Sequence, residues 1–298
     1  KISAEKAEAL CSQWLKVIID DLKNPIIFPP YHKKIRSPID LYQFGIDFFS
    51  ALIDHQKSQI LHPERLDQIQ EYIQAGHNVV LLANHQTESD PQLMYCLLGA
   101  SHPQLMESMI FVALAGDRIT SDPLARPFSM GCDLLCIYSK RHINHPPELK
   151  EEKLMHNQKS MRTLKMLLSE GGKFFYVAPS GGRDRKNLQG ELYPAEFHPD
   201  SVEMFRLLAK SSGKTTHFFP LAMKTYDILP PPPTIEEAIG EHRVISFAPV
   251  AFNFGDELLL DELCSSEEAD IYDKHALRAL RASRAFSIVT DLYKEILT

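Results

Sequence analysis

Short apolar runs rich in β-branched or aromatic residues recur along the chain: Val79 to Ala83, Met109 to Ala113, Leu134 to Tyr138, Phe174 to Ala178, His217 to Met223 and Val244 to Val250. Runs of this length, bounded by Gly, Pro, Asn or Ser, predict buried strands. Between them the hydrophobic period changes. Ser3 to Leu22 repeats Ala7, Leu10, Trp14, Val17 and Ile18 at helical spacing and stops at Asn24-Pro25. Further helices are predicted at Asp40 to Asp54, Pro63 to Gly76, Glu148 to Glu170 and Ser201 to Ser211, with Leu154, Met161, Leu164, Leu167 and Leu168 as the buried side of the third. Ser265-x-x-Glu268 is a capping box that opens a last helix from about Glu267 to Leu297, with a break allowed. Phe28 to His32 reads as a stiff connector, Ala100 to Pro103 as a loop, and Pro230 to Pro233 as a rigid, extended surface segment. Strands alternating with helices predict an α/β fold: a mixed, mostly parallel sheet flanked by helices. A short helical N-terminal segment (1–27) precedes the α/β unit (28–298).

The polar residues that follow the strands carry the candidate chemistry. Asn84-His85-Gln86-Thr87-Glu88-Ser89-Asp90-Pro91 lies between the strand at Val79 and a short helix, with Asp90 at the N-cap, Pro91 at the first helical position and Gly99 as the stop. His85 therefore sits past the carboxyl end of a strand, where open α/β sheets gather their ligands. The turn into the helix lets Asp90 fold back onto one imidazole nitrogen, fix the tautomer and leave the other nitrogen to accept a proton, the arrangement of a general base. The plainer reading is a capping aspartate beside an ordinary loop histidine, and the spacing alone leaves both open. Ser139-Lys140-Arg141-His142 closes another strand and suits either a phosphate or, more commonly for such a run, solvent. In Pro179-Ser180-Gly181-Gly182-Arg183-Asp184-Arg185, two glycines allow close backbone approach, and two arginines two apart can fork onto one phosphate. The alternative is a turn with surface arginines.

Composition narrows the picture. A chain of 298 residues, 44% hydrophobic and 24% charged, can bury a sizeable core. A net charge of -7 argues against general nucleic-acid binding but leaves room for a local basic pocket. Five cysteines without a paired motif suggest reduced thiols and an intracellular setting, and Cys132 and Cys136 lack the second pair a metal site needs. No apolar run reaches the length of a membrane span, and the start carries no signal-peptide pattern.

Four blocks, in order, resemble the glycerolipid acyltransferase superfamily, in its soluble plastid-type and bacterial glycerol-3-phosphate acyltransferase branch. They are Asn84 to Pro91; Gly116-Asp117-Arg118 with Pro127-Phe128-Ser129-Met130-Gly131; Ala178 to Arg185; and Phe219-Pro220-Leu221-Ala222. The likeness runs from about Phe28 to at least Gly240. It implies that His85 is the base and Asp90 its partner, and that Arg141, His142, Arg183 and Arg185 bind the phosphate of glycerol 3-phosphate. Arg118, Lys140, Ser180, Gly181 and Gly182 are supporting candidates. Plant members carry lysine where this chain has Arg141; the charge is kept, but a guanidinium fork is not an ammonium. They also carry a separate helical domain before the Phe-Pro-Pro-Tyr-His region, where this chain has one predicted helix. That leans towards a bacterial cytoplasmic relative, with a trimmed plastid-stromal chain as the alternative.

The reaction the resemblance implies is acyl transfer from acyl-acyl carrier protein or acyl-CoA to the C1 hydroxyl of glycerol 3-phosphate, giving lysophosphatidate, with no metal or cofactor. Peripheral membrane contact is left open. The alternatives are a 1-acylglycerol-3-phosphate acyltransferase, a non-catalytic phospholipid- or phosphate-binding protein, and a metal-dependent hydrolase using some of the 13 histidines.

Overall fold

Every residue of the strand expected at Val79 is buried, and the strand begins one residue earlier, at Asn78. Burial on both faces explains its unbroken apolar run, and it holds the centre of a parallel core. The computed structural model describes residues 2–115, 118–138, 143–232 and 242–298. Among them, strands β1 (Tyr31–His32), β2 (Gln59–Leu61), β3 (Asn78–Ala83), β4 (Met109–Ala115), β5 (Asp133–Tyr138), β6 (Phe174–Val177), β7 (Thr216–Lys224) and β8 (Ala251–Phe254) form one sheet. Its order is β1-β5-β4-β6-β3-β7-β8-β2. Strands β5, β4, β6, β3 and β7 run parallel; β1 pairs antiparallel with β5, β8 antiparallel with β7, and β2 parallel with β8. The five parallel strands therefore deliver their carboxyl ends to one edge.

Helices cover both faces. Val79, Leu81 and Ala83 of β3 pack with Phe174, Phe219 and Leu221 against α2 (Leu41–Ser50), α3 (Glu64–Gln74), α4 (Asp90–Leu98) and α5 (Pro103–Ser108). Val80 and Leu82 pack on the other side with Phe175, Val177 and Phe218 against α8 (Lys150–Glu170), α9 (Pro199–Ser211) and α11 (Lys274–Leu297). The first helix, α1 (Ala4–Lys23), capped by Ser3, buries Val17 and Ile18, and its Asp21 is paired with Arg126 beside the short α7 (Arg126–Ser129). Among the described residues, the remaining α-helices are α6 (Arg118–Ser121) and α10 (Ser266–Ile271), the latter opened by the expected capping box at Ser265 and Glu268.

Several expectations need correction. The strand expected at Val244 to Val250 is not one: Val244, Ile245 and Phe247 are exposed, an isolated bridge joins Ala248 to Ile53, and the continuous ladder starts at Ala251. Pro249 has no N–H to give a ladder, so the strand begins beyond it. The Pro230–Pro233 run is not wholly at the surface, since Pro231 and Pro232 are buried; Pro233 lies outside the described residues. In α8, Leu154 is exposed and Met161 only half-buried, while Leu164, Leu167 and Leu168 are buried as expected. The polar side of its first half serves carbonyls of β5 and of the segment between β5 and the helix. Ser160 Oγ donates to Cys136 O at 2.6 Å, Asn157 Nδ2 to Tyr138 O at 2.8 Å and Lys153 Nζ to His145 O at 2.8 Å.

Gly131 marks the tightest approach. A Cβ there would lie 2.5 Å from the Leu41 carbonyl oxygen, with the Leu41 carbonyl carbon at 2.8 Å. Both atoms are backbone at the start of α2 and cannot swing aside. Gly131→Ala is expected to destabilise the fold by about 3 kcal/mol, measured as a fall in the urea midpoint at unchanged m-value.

Candidate active site

Two strand ends and one connecting loop build a buried polar cluster at the carboxyl edge. Beyond β3, Asn84 continues the sheet with its side chain. Its Oδ1 accepts from Met223 N at 2.7 Å and its Nδ2 donates to Met223 O at 2.9 Å, so the amide locks onto β7. Tyr176 OH, from β6, donates to the Asn84 carbonyl at 3.0 Å. Gln86 does the same one step on: its Oε1 accepts from Thr225 N at 2.8 Å and Tyr226 N at 3.0 Å, and its Nε2 donates to Tyr293 OH on α11 at 3.1 Å. Two alternating side chains thus pin the segment to the end of β7, and His85, between them, is turned the other way.

His85 Nδ1 lies 2.7 Å from Asp90 Oδ2. The His85 side chain is 27% exposed and that of Asp90 is 0% exposed. Asp90 also accepts from Gln86 N at 2.9 Å, Thr87 N at 3.3 Å and Thr225 Oγ1 at 2.6 Å. Each of its oxygens holds two donors, so Nδ1 of His85 carries the ring proton and Nε2 presents its lone pair. Asp90 is not the N-cap expected from sequence. Ser89 takes that position without a side-chain cap bond, and Asp90 is the first residue of α4 with its carboxylate folded back into the preceding turn. The competing demand of the imidazole and two backbone N–H groups draws it there.

The loop after β6 closes the site. Gly181 adopts φ 67°, and a Cβ there would sit 3.2 Å from the Leu114 carbonyl oxygen, so the turn needs glycine. Ser180 Oγ donates to Gly182 O at 3.0 Å within the turn. Asp184 N donates to His85 O at 2.6 Å, which brings the arginine-bearing loop against the histidine. Arg183 and Arg185 are half-buried on either side of the fully buried Asp184. Burial pushes the Asp184 carboxyl up to about 6, against the pull of the Asn84 side chain and the Ala195 N–H. Across the mouth, Arg243 forks onto Glu88 and donates to Asp122 at 2.9 Å, tying the histidine loop to the segment after β4.

The structure therefore joins His85, Asp90, Ser180, Gly181, Gly182, Arg183 and Arg185 in one cluster of loops. Lys140, Arg141 and His142 lie outside the described residues, as do Gly116, Asp117 and the side chain of Arg118. Sequence reading missed Asn84, Gln86, Asp184, Thr225 and Arg243. Asn84 and Gln86 flank the histidine at alternate positions, and polar residues placed that way at the end of a buried strand are a signal that was there to use. Thr225 and Arg243 act across the fold and have no local signature. Among the described residues, no group of three or more His, Cys, Asp or Glu side chains could hold a metal, and no helix is long and apolar enough to cross a membrane.

The family model described as Acyltransferase matches residues 65–224, which span α3 to the end of β7 and contain the whole cluster apart from Thr225, Arg243 and Tyr293. The chain belongs to the acyltransferase family. The chain is 39% identical over 261 residues to the chloroplastic glycerol-3-phosphate acyltransferase of Spinacia oleracea, covering 86% of this chain and 55% of that protein. It is 41% identical over 268 residues to a chloroplastic glycerol-3-phosphate acyltransferase of Cucurbita moschata, covering 88% and 58%. With the Arabidopsis thaliana protein of the same name it shares 39% identity over 256 residues, covering 86% and 55%. The chain spans little more than half the length of these curated relatives. Among solved structures, the chain is similar to the 1-acyl-sn-glycerophosphate acyltransferase of Thermotoga maritima, with a TM-score of 0.47, 16% identity, and coverage of 86% of this chain and 78% of that one.

Proposed function

We propose that this acyltransferase moves an acyl chain from a thioester donor to the C1 hydroxyl of glycerol 3-phosphate, yielding lysophosphatidate. The observation that carries the proposal is the contact between the base and the arginine loop. The His85–Asp90 pair, 2.7 Å apart, is bonded through the His85 carbonyl to the residue between Arg183 and Arg185. A small acceptor carrying a hydroxyl and a phosphate spans that arrangement. The curated relatives, named glycerol-3-phosphate acyltransferases, support the same acceptor.

The acceptor phosphate docks on Arg183 and Arg185, joined by Arg141 and His142 from the segment that follows β5. Binding energy at the phosphate orients the hydroxyl at the reacting end. His85 Nε2 takes the hydroxyl proton as that oxygen attacks the thioester carbonyl, and Asp90 stabilises the imidazolium at Nδ1. Collapse of the tetrahedral intermediate breaks the carbon–sulfur bond, and the proton on Nε2 passes to the departing thiolate. The donor we propose is acyl-acyl carrier protein or acyl-CoA. The chloroplastic naming of the relatives favours the plastid stroma over the bacterial cytoplasm expected from the sequence.

The test is an acyl-transfer assay on the purified protein with glycerol 3-phosphate as acceptor and each donor in turn. Formation of 1-acylglycerol 3-phosphate is expected. Product from lysophosphatidate but not from glycerol 3-phosphate would move the assignment to the second acylation, and binding without turnover would make the chain a phosphate-binding protein. In the same assay, Arg183→Ala and Arg185→Ala are each expected to raise KM for glycerol 3-phosphate by about 10- to 100-fold, the loss of a charge-assisted bond. KM for the donor should stay within about threefold, because those arginines serve the acceptor alone.

A further inference from the structure

Asp184 stands between the two arginines yet points the other way. Its side chain is fully buried, while Arg183 and Arg185 are not. One carboxylate oxygen accepts from Asn84 Nδ2 at 2.8 Å, the other from Ala195 N at 2.8 Å, and its own N–H donates to His85 O at 2.6 Å. Asp184 therefore grips the residue before the base through its side chain and the base itself through its main chain.

We propose that Asp184 is a positioning residue that fixes the separation between the arginine pair and His85 Nε2, and so sets the pose of the phosphorylated acceptor. The inference rests on the glycerol 3-phosphate reading above. A buried carboxylate is an expensive way to hold two loops together, and an apolar contact of the same volume would serve stability as well or better. Burial pushes this carboxyl up to about 6, the direction in which loss of solvent acts on the charged form. What the carboxylate supplies is direction: two acceptor oxygens facing two fixed donors on different segments.

The geometry also shows why an amide cannot substitute. In Asp184→Asn, one face of the side chain becomes NH2 and must meet either Asn84 Nδ2 or Ala195 N, both donors. Asn84 cannot flip to relieve it, because its Oδ1 accepts from Met223 N and its Nδ2 donates to Met223 O. One link is lost and the arginine turn shifts against the histidine. Misplacement of a bound substrate by about 1 Å costs on the order of 100-fold in rate.

The experiment compares the parent with Asp184→Asn and Asp184→Ser in steady-state kinetics, with calorimetric titration of glycerol 3-phosphate in the absence of donor. Serine is small enough for a water to take over the two donors, which favours folding if the asparagine protein fails. The expected result is a KM and a Kd for glycerol 3-phosphate raised about 10-fold, a kcat lowered about 10- to 100-fold, and an unchanged KM for the donor. A purely structural role would reduce the folded, active fraction, lowering kcat with KM and Kd for glycerol 3-phosphate unaltered. That result, wild-type kinetics in either folded variant, or failure of both variants to fold overturns the inference. A parent inactive with glycerol 3-phosphate overturns the functional reading and this inference together, whereas an active parent with unaffected variants overturns this inference alone.

Discussion

Replacing His85 with alanine is expected to lower kcat for acyl transfer about 1000-fold, the scale of a lost general base, with KM for glycerol 3-phosphate changed less than about threefold. The prediction separates chemistry from binding because the two sit on different segments. Arg183 and Arg185 belong to the loop after β6, and that loop reaches His85 through the histidine's carbonyl rather than its ring. Stability should hardly change. The His85 side chain is partly exposed, and its loss leaves Asp90 with three donors: Gln86 N, Thr87 N and Thr225 Oγ1. Steady-state kinetics alongside a thermal melt is the check. An alanine protein that keeps a tenth of the parent's kcat would remove His85 from the chemistry.

Asp90→Asn is expected to fail in both respects. Each Asp90 oxygen meets two donors, so the amide NH2 must oppose one of the pairs. Facing Oδ2's partners, it meets Gln86 N and forces the imidazole to present a lone pair at Nδ1, which moves the proton to Nε2 and abolishes the base. Facing Oδ1's partners, it meets Thr87 N and the Thr225 hydroxyl; the hydroxyl can rotate but the backbone N–H cannot. A kcat lower by about 100- to 10,000-fold is expected, together with a stability loss of about 2 kcal/mol from a buried donor left unpaired. Comparing urea midpoints of the two variants tests the distinction: only Asp90→Asn should shift.

The difference between these variants follows from where information lies in the chain. The β3 strand, α4 and the His85–Asp90 pair are local, separated by a handful of residues; periodicity with turn residues placed the strand and the helix and left the contact between His85 and Asp90 as one of two readings. The parallel core was legible from its composition: runs such as Phe174 to Ala178 are buried on both faces and are apolar but for the hydrogen-bonded Tyr176 hydroxyl. What failed was either too short or set from a distance. β1 and β2 are two and three residues long and exist only because β5 and β8 offer them an edge. α5 has six residues, too few to show a period, and drew no assignment beyond the loop expected to end at Pro103. The apolar residues at Val244 to Phe247 mimic a strand, yet the continuous ladder waits until Pro249 is passed. In the site, Thr225 reaches Asp90 across 135 residues of sequence and Arg243 reaches Glu88 across 155, and neither leaves a trace in the local pattern. Asp184 drew no reading of its own from the sequence because its partners, Asn84 and Ala195, lie 100 and 11 residues away.

The two variants also bear on how the acceptor sits. If one cleft holds the phosphate on Arg183 and Arg185 and the hydroxyl at the open nitrogen of His85, the molecule itself must bridge them. A crystal structure with glycerol 3-phosphate bound is the most direct measurement. The expected result is phosphate oxygens within hydrogen-bond distance of both guanidinium groups and the C1 hydroxyl about 2.6–3.2 Å from His85 Nε2. Phosphate bound away from Arg183 and Arg185, or a C1 hydroxyl turned from Nε2 with those arginines engaged, would contradict the proposed mechanism.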